Sequence, residues 1–578
     1  MRLFPVLLAG ALAAEVHLDT PFGPLVGSSD GDVEKYVGIE YASAERFGRA
    51  VLREPWGPAP LEALEYGPSC IQSSGGAGTP AIDPAMRPGG LAKPPDERCL
   101  FLNAYRPARK PKAPRPIMVW VHGGGFCTGS GASAWFEGSN LAKRADAVVV
   151  TLNYRLGPLG FAADGKRGGA NGLWDVIRAL EFVNALREAL GGGPITLFGE
   201  SSGGVAVCAL SASPAAKGLF RRSVVQSGPC VVDAPDGWGP GSVASGVATT
   251  KRFTEYFNAS DLDGMRGVDA SELQWTVKDS MDPTFSGWWL DESLFPGGRP
   301  PSSYYLADPP TTHVDEMILG VTSKDGTAAF YGSAPLANVT GDDAYVAHLA
   351  TAWGSRALAR KIADNYALYR FGGDVSAAFI QADADHYLVC PTLDMARSLN
   401  QRPRGSWWAA WAAWWNGTAP PAPRSPTAAW TYVFSHWSDA GCDASLTLLV
   451  EAYRPWDSPY DHPLPFASHG SDIAYTFGND FGPNGLAGVQ PTPREDCPKA
   501  KEERALADAI ADYWGSFARD GAPRRQRDTD KWRRNAVRKL AVRSDGGFAN
   551  IDGFKRADCR FWASVKDDVD VARRRGRA

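Results

Sequence analysis

The 578-residue sequence lacks a long apolar run, an excess of basic residues and a cysteine pattern typical of metal sites. A membrane-spanning helix needs about 18 or more predominantly apolar residues in succession, and no segment provides them. The net charge of −4 gives no general affinity for nucleic-acid phosphates, and no basic stripe alternates with aromatic residues. We therefore expect neither a membrane-spanning segment nor a nucleic-acid partner.

The nine cysteines include no C-x-x-C pair, and no His/Cys cluster has zinc spacing. We expect no metal and no other cofactor. Nine cysteines instead fit an oxidising compartment, where structural disulfides persist. Because nine is an odd number, at least one thiol is expected to remain unpaired.

The N-terminal stretch "MRLFPVLLAGALAAE" is typical of a secretory signal peptide, which we place at residues 1–13. It has one arginine, a short apolar run and small residues near its end. A buried N-terminal strand or helix is the alternative interpretation. The N-x-[ST] sequons at Asn258, Asn338 and Asn416 are candidate glycosylation sites. Together these features predict a protein that is secreted or retained in the secretory-pathway lumen.

Strand and helix patterns alternate between about residues 116 and 230. The valine-rich runs "PIMVWVH" and "AVVVTLNYR" predict buried strands, and "GLWDVIRALEFVNALREAL" has the apolar spacing of a helix. This alternation predicts an α/β fold with a large, mostly parallel central sheet and helices on both faces. We find no internal repeat and no obvious linker, so we expect one domain over residues 14–565 and a basic C-terminal tail over residues 566–578.

The stretch "TLFGESSGGVA" contains a candidate nucleophile. A nucleophile elbow reads G-x-S-x-G, because its serine sits on a sharp strand-to-helix turn. Ser201 has Gly199 and Gly203 at the required positions, whereas Ser202 is excluded because Glu200 stands two residues before it. Glycine accounts for 63 of 578 residues, so the pentapeptide alone is weak evidence.

A second glycine-rich motif, "VHGGGFCTG", begins at Val121 and also follows a predicted strand. Three successive glycines let backbone N–H groups face a site without interference from side chains. A glycine-rich turn without function would explain this run if it stood alone. Found upstream of the elbow motif, it indicates an oxyanion hole, the set of donors that binds the negative oxygen formed when a serine nucleophile attacks a carbonyl group.

A serine nucleophile needs a base, and the base needs an orienting acid. Asp325 is the best candidate acid, because it follows the apolar strand "EMILGVTS" and therefore lies at the edge where ligands bind such sheets. Spacing alone does not select the base among the histidines that follow: His348, His386, His436, His462 and His469.

These motifs, in this order, resemble the type-B carboxylesterase and cholinesterase family of α/β-hydrolases over about residues 15–565. The matching stretches include "HGGGF", "NYRLGPLGF", "TLFGESSGG", "VVQSG", "HGSDIAYTFG" and "CRFW". The resemblance implies the α/β-hydrolase fold. It also implies that Ser201 is the nucleophile, Asp325 the acid and His469 the base.

The resemblance further implies that the oxyanion donors are the N–H groups of Gly124, Gly125 and Ser202. Ser202 stands where the family usually has alanine, and we expect function to survive because only the N–H is needed. Asp325 stands where glutamate is more frequent in the family. Its carboxylate must therefore lie slightly closer to the base.

The family's disulfides imply two pairs, Cys70–Cys99 and Cys390–Cys559. We assign Cys442–Cys497 from the cysteines that remain. Under this scheme three cysteines are left free, namely Cys127, Cys208 and Cys230.

The resemblance implies hydrolysis of carboxylic esters through an acyl-enzyme. The substrate is a small-molecule ester or, alternatively, a long-chain acylglycerol cleaved at a lipid surface. Choline esters are disfavoured. The family's cholinesterases place a tryptophan for the quaternary ammonium in the first disulfide loop, and the corresponding residues 71–98 of this chain contain no aromatic side chain. Inactive adhesion proteins of the family have lost the serine, which this chain keeps.

Two aromatic groups bear on the choice of substrate. Phe285, Trp288 and Trp289 either wall an acyl pocket or pack in the core. The tryptophans between Trp407 and Trp415 favour core packing, with peripheral contact to a membrane or lipid surface as the alternative. The sequence says nothing about oligomeric state.

Overall fold

The structure is a computed structural model that describes most of the chain. The described residues are 14–72, 93–165, 169–228, 243–270, 272–273, 294, 312–325, 339–400, 427–436, 467, 469–479, 500–525, 528, 531–541 and 547–576. Several predicted features lie outside these residues: the signal peptide at 1–13, Cys230, Phe285, Trp288, Trp289, Asn338, Trp407–Trp415, Asn416, Cys442, His462 and Cys497.

The described part of the chain is organised around a 13-stranded sheet. Its strands, in chain order, are β1 (Ala14–Leu18), β2 (Leu25–Ser29), β3 (Val33–Glu40), β6 (Leu61–Glu62), β9 (Phe101–Pro107), β10 (Arg115–Val121), β11 (Val148–Leu152), β12 (Gly192–Glu200), β13 (Arg222–Gln226), β14 (Glu316–Thr322), β15 (Ala428–Phe434), β16 (Val537–Leu540) and β17 (Ala549–Ile551). Two small two-stranded sheets are formed by β4 (Ala42–Ser43) with β5 (Val51–Leu52) and by β7 (Pro68–Cys70) with β8 (Lys93–Asp96).

The spatial order of the large sheet is β1-β2-β3-β9-β11-β10-β12-β13-β14-β15-β16-β17, with β6 beside β2. Strands from β11 to β16 in this order pair in parallel, whereas the remaining pairs in this order are antiparallel. The short strand β6 pairs with β2 in parallel. Every residue of β10 and of β11 is buried, because helices cover both faces of the sheet centre. The predicted parallel centre with helices on both faces is confirmed.

The helices pack on the two faces and around one end of the sheet. They are α1 (Ser139–Ala145), α2 (Gly157–Phe161), α3 (Asn171–Ala185), α4 (Arg187–Leu190), α5 (Ser202–Ala212), α6 (Val243–Tyr256), α7 (Asp342–Trp353), α8 (Arg356–Asn365), α9 (Val375–Ala384), α10 (Cys390–Asn400), α11 (Ile473–Phe477), α12 (Ala500–Asp520), α13 (Arg556–Ser564) and α14 (Lys566–Gly576). A π-helical turn at Asp385–Val389 joins α9 to α10. Short 3-10 turns occur at Ala134–Phe136, Pro214–Ala216, Gly264–Gly267 and Leu368–Phe371.

The side chains of β10 alternate between two hydrophobic cores, as the two-residue period of a strand requires. Ile117 and Val119 join the core that contains the apolar residues of α3 and α5. Met118 and Trp120 join the core that contains those of α1 and α12. The sheet is therefore enclosed on both sides, and polar groups have room only at the ends of its strands.

The carboxyl ends of the central strands meet at one edge of the sheet, since these strands are parallel. In the register of the sheet, Glu200 pairs with Gln226, Gln226 with Gly320, and Gly320 with Tyr432. Side chains far apart in sequence thus lie in one row at the edge where loops carry polar groups.

The disulfides confirm part of the predicted scheme and correct another part. Cys70–Cys99 and Cys390–Cys559 are bonded, and Cys127 is free. The expectation that Cys208 is free was wrong, because it is disulfide-bonded to a partner outside the described residues. Which thiols pair depends on how closely the fold brings their Cα atoms together, and sequence spacing does not give that distance.

Lys566–Gly576, within the predicted basic C-terminal tail, form helix α14. Val569 and Ala572 on this helix are buried in a third hydrophobic core, together with Trp353 of α7. Asn258, the candidate glycosylation site among the described residues, is exposed. Within the described ranges, no helix combines the length and apolar character that crossing a membrane requires.

A buried ion pair joins the segment after β11 to α3. Arg155 donates through Nε and Nη2 to the two carboxylate oxygens of Asp175, at 2.8 and 2.7 Å. The backbone N–H of Arg155 also donates to Asp175, at 3.0 Å, and its Nη1 donates to the Gly48 carbonyl. The Asp175 side chain is fully buried, so this carboxylate is the counter-charge for a guanidinium that has little access to water.

We expect Asp175→Ala to reduce the free energy of unfolding by about 3–5 kcal/mol, because it leaves the Arg155 charge buried without its counter-charge. Urea unfolding followed by intrinsic fluorescence measures the loss. Glu188→Ala is the matched control, since Glu188 and its partner Arg187 are exposed; we expect a change of about 0–1 kcal/mol there. Equal losses in the two variants would contradict the assignment.

Candidate active site

Ser201 occupies the turn between β12 and α5. Its backbone has φ 56° and ψ −129°, a left-handed region that non-glycine residues rarely adopt. The Ser201 N–H donates to the Gln226 carbonyl at 2.9 Å, and the Ser201 carbonyl accepts from the N–H of Val205 at 2.9 Å. The strained turn is therefore held from both sides by backbone hydrogen bonds.

The glycines flanking Ser201 are required by close backbone contacts. A Cβ on Gly199 would lie 2.6 Å from the Val121 carbonyl oxygen, and one on Gly203 would lie 2.1 Å from the same oxygen. Any larger residue would therefore separate α5 from the end of β10. This packing is the physical reason for the G-x-S-x-G spacing, and it places Ser201 rather than Ser202 at the elbow.

The glycine run that follows β10 packs directly on the elbow. A Cβ on Gly123 would lie 2.9 Å from the Glu200 carbonyl oxygen and 3.0 Å from the Ser201 Cβ. Gly124 and Gly125 both have positive φ, 106° and 64°. The Gly124 carbonyl accepts two backbone hydrogen bonds within its own turn. Because the peptide is trans, the Gly125 N–H points away from that turn.

The structure brings His469 and Asp325 together from positions 144 residues apart. His469 Nδ1 lies 2.6 Å from Asp325 Oδ1, and Asp325 Oδ2 accepts from the Thr322 N–H at 2.9 Å. The backbone N–H of Lys324 donates to the Ala467 carbonyl, which ties the two loops together. Asp325 is fully buried and His469 is 6% exposed, so this pair is shielded from water.

Glu200 lies on the other side of the imidazole. Its Oε1 is 3.4 Å from His469 Nε2, the nitrogen opposite the one that contacts Asp325. Because Ser201 follows Glu200 directly, this contact brings the elbow beside the histidine. The elbow motif in the sequence assigns no role to Glu200. The signal was available, since Glu200 ends a buried strand just as Asp325 follows one.

The other candidate histidines lie elsewhere. His436 Nε2 is 3.2 Å from Glu503 Oε1 in a buried pair. The His348 ring packs against Phe379, and the His386 ring lies 4.3 Å from that of Trp562. Among the described histidines, His469 is the one placed against Asp325.

Asp472 extends the buried polar cluster behind His469. Its Oδ2 accepts from the Tyr432 hydroxyl at 2.6 Å and from Gln226 Nε2 at 3.0 Å. Gln226 also accepts the Ser201 N–H through its carbonyl, so one residue joins the elbow to the histidine loop. Gln226 and Asp472 lie in the motifs "VVQSG" and "HGSDIAYTFG", but the sequence pattern assigns neither residue a role.

A glycine on the neighbouring strand makes room for Tyr432. A Cβ on Gly320 would lie 1.7 Å from the Tyr432 ring. The missing side chain lets the ring lie across β14, and from there the Tyr432 hydroxyl reaches Asp472.

Burial and charge shift the protonation equilibria of this cluster. Burial raises the pKa of Glu200 to about 8, and the nearby carboxylates of Asp472 and Asp325 add to this rise. Burial favours neutral His469, but the negative charges of Glu200 and Asp325 outweigh it and raise the His469 pKa to about 9. Burial also raises the pKa of Asp472. The three carboxyl groups thus favour a proton on the single imidazole among them.

The family model for the carboxylesterase family matches residues 14–562. The chain belongs to the carboxylesterase family. Curated relatives include the para-nitrobenzyl esterase of Bacillus subtilis (strain 168), 34% identical over 266 residues, which are 44% of this chain and 51% of that protein. Phenmedipham hydrolase of Pseudarthrobacter oxydans is 32% identical over 54% of this chain and 62% of its own length. Carboxylesterase 3 of Homo sapiens is 32% identical over 50% of this chain and 52% of its own length.

The chain therefore spans between about half and three fifths of the length of these curated relatives. A solved structure, of a "thermophylic PNB esterase", covers 95% of this chain and all of its own. Its TM-score is 0.65 at 24% sequence identity. The fold is thus the α/β-hydrolase fold of the carboxylesterase family, as the sequence predicted.

We expect Glu200→Gln to lower the pKa of His469, because the neutral amide no longer stabilises the imidazolium. The His469 Nδ1 proton, hydrogen-bonded to Asp325, can be followed by proton NMR, with His469→Gln identifying its signal. In Glu200→Gln the change from imidazolium to imidazole should occur at a lower pH than in the unmodified protein.

Glu503→Gln is the control, since it changes a buried carboxyl group beside a different histidine, His436. It should leave the His469 transition unmoved. An unmoved transition in Glu200→Gln as well would mean that Glu200 already carries a proton throughout this pH range.

Proposed function

We propose that the chain is a serine hydrolase that cleaves carboxylic esters, with Ser201 as nucleophile, His469 as general base and Asp325 as its orienting acid. The observation that carries the proposal is the 2.6 Å contact between His469 Nδ1 and buried Asp325, while Glu200, the residue before Ser201, lies 3.4 Å from the opposite nitrogen. An imidazole held by a carboxylate at Nδ1 presents Nε2 as the base.

The oxyanion donors in this proposal are the N–H groups of Gly124, Gly125 and Ser202. Ser202 is the first residue of α5, where a helix leaves its N–H groups without intrahelical acceptors. The helix dipole adds a partial positive charge at this end. Both features favour the negative charge that develops on the ester oxygen, and removal of one such donor typically costs about 10²–10³ in rate.

In the first half-reaction, the Ser201 oxygen forms a bond to the ester carbonyl carbon while its proton passes to His469 Nε2. The tetrahedral intermediate then releases the alcohol, which takes that proton as its C–O bond breaks. Water next attacks the acyl-enzyme and gives a proton to the same nitrogen. The bond to Ser201 breaks, the carboxylic acid leaves and Ser201 regains its proton.

We propose a small-molecule ester as substrate. Support comes from the names of the relatives, among them a para-nitrobenzyl esterase and a carboxylesterase. The alternative of a lipase depended on the stretch Trp407–Trp415, which lies outside the described residues. Hydrolysis rates over a series of acyl chain lengths distinguish the two, since a rate increase when the ester forms an emulsion would favour a lipase.

We also propose that the protein enters the secretory pathway. Its structural disulfides are typical of oxidising compartments, and Asn258 is exposed for glycosylation. N-terminal sequencing of protein recovered from the medium tests this proposal, because cleavage after residue 13 would leave Ala14 first. An uncleaved N-terminus on protein retained in the cytosol would contradict it.

A fluorophosphonate probe tests the nucleophile, because it forms a stable adduct with an activated serine. We expect the folded protein to be labelled at Ser201 and Ser201→Ala to lose both labelling and at least about 10³-fold of the esterase activity. Ser211→Ala is the control, since Ser211 is a buried serine of α5 whose hydroxyl donates to the Val207 carbonyl.

Labelling of Ser211→Ala should match that of the unmodified protein. Folded protein that takes up no label would instead support the non-catalytic binding role known among family members. Ester hydrolysis that persists in Ser201→Ala would exclude this serine as the nucleophile.

A further inference from the structure

The side chain of Ser202 contacts the glycine loop, in addition to the N–H that its proposed role requires. The side chain is buried, with 1% of the residue exposed. Its Oγ accepts a hydrogen bond from the backbone N–H of Phe126 at 3.2 Å, and both groups are buried. Phe126 directly follows Gly125, so the hydroxyl on the elbow side holds the end of the segment that carries the other proposed donors.

The opposite end of the same segment is held through Tyr154. The Tyr154 hydroxyl donates to the His122 carbonyl at 2.9 Å, and His122 directly precedes the three glycines. Burial raises the pKa of Tyr154 and the Ser202 hydroxyl opposes this rise, so the two hydroxyl groups lie close together. Buried hydroxyl groups therefore hold both ends of the glycine segment near the first residue of α5.

The conformation of Phe126 needs such support. Its φ is 60°, in the left-handed region that is unfavourable for a bulky residue. The Phe126 carbonyl accepts from the Gly157 N–H at 2.8 Å, and its ring is buried 5.1 Å from that of Phe161. The Ser202 hydroxyl supplies the remaining acceptor, for an N–H that would otherwise be buried without a partner.

We propose that the Ser202 hydroxyl is a positioning group that sets the separation between the two halves of the oxyanion hole, the glycine loop and the start of α5. The inference rests on the proposed ester hydrolysis and deepens it. It also revises the expectation that only the N–H of this residue matters. Alanine, which the family usually has here, would keep the N–H but remove the hydrogen bond from Phe126.

The expected consequence follows from when the oxyanion donors act. They bind the negative oxygen in the transition state, and their hydrogen bonds need donor distances of about 2.7–3.1 Å. A glycine loop that relaxes to find another acceptor for the Phe126 N–H moves its donors away from that oxygen. Transition-state stabilisation then falls while substrate binding is largely unaffected, so kcat should fall and KM should change little.

The experiment compares Ser202→Ala with Ser211→Ala in the full chain. Both substitutions remove a buried hydroxyl from α5, but the Ser211 hydroxyl donates within its own helix, to the Val207 carbonyl. We expect Ser202→Ala to lower kcat about 10- to 100-fold, a smaller effect than complete loss of a donor. Ser211→Ala should retain kcat within about twofold.

Inhibition by a trifluoromethyl ketone distinguishes positioning of the oxyanion donors from a purely structural role, which would leave the inhibition constant Ki unchanged. Its adduct with Ser201 places an oxyanion on the same donors, so its Ki should rise in proportion to the loss of kcat/KM. Tyr154→Phe removes the hydrogen bond to the His122 carbonyl at the other end of the glycine segment. The combined loss in the double variant with Ser202→Ala should be less than the product of the two single losses.

Unchanged kcat and Ki in Ser202→Ala would overturn the inference, and so would an equal loss in Ser211→Ala. If Ser202→Ala does not fold, the inference is decided by Tyr154→Phe, which must then raise the Ki of the ketone. A failure of the proposed function is distinguishable from all of these results, because hydrolysis by the unmodified protein would then not depend on Ser201.

Discussion

The site depends on one close contact, the packing of α5 against the carbonyl of Val121 at the end of β10. Gly203 and Gly199 both approach this oxygen so closely that neither can carry a side chain. The contact places the serine turn against the glycine loop and directs the start of α5 toward the same space. Without it, the glycine loop and the start of α5 would not lie side by side.

In the buried polar cluster behind this contact, burial favours neutral carboxyl groups, whereas hydrogen bonds favour ionised ones. Burial raises the pKa of Glu200 and of Asp472, while hydrogen bonds from Tyr432 and Gln226 favour the ionised form of Asp472. The negative charges in turn favour protonated His469. Each of these carboxyl groups therefore influences the basicity of the imidazole, including those that do not touch it.

The sequence predicted those parts of the site whose chemistry depends on local backbone geometry. The spacing of glycines around Ser201 predicted the elbow, and the end of an apolar strand predicted the position of Asp325. The same reasoning could not select His469, because the loop that carries it approaches Asp325 only in the folded chain. It also overlooked Gln226, whose role arises from its place in the sheet register.

The sequence by itself determined the alternation of strands and helices, the elbow motif and the glycine loop, because each depends on residues close together in the chain. Residue spacing left open which histidine meets the acid, although the family resemblance indicated His469. Tertiary structure decided that Glu200 flanks this histidine and that Cys208 is bonded. It also decided that the Ser202 hydroxyl joins the two loops. These relations are distances between distant segments, and such distances exist only once the parallel strands bring their carboxyl ends to one edge.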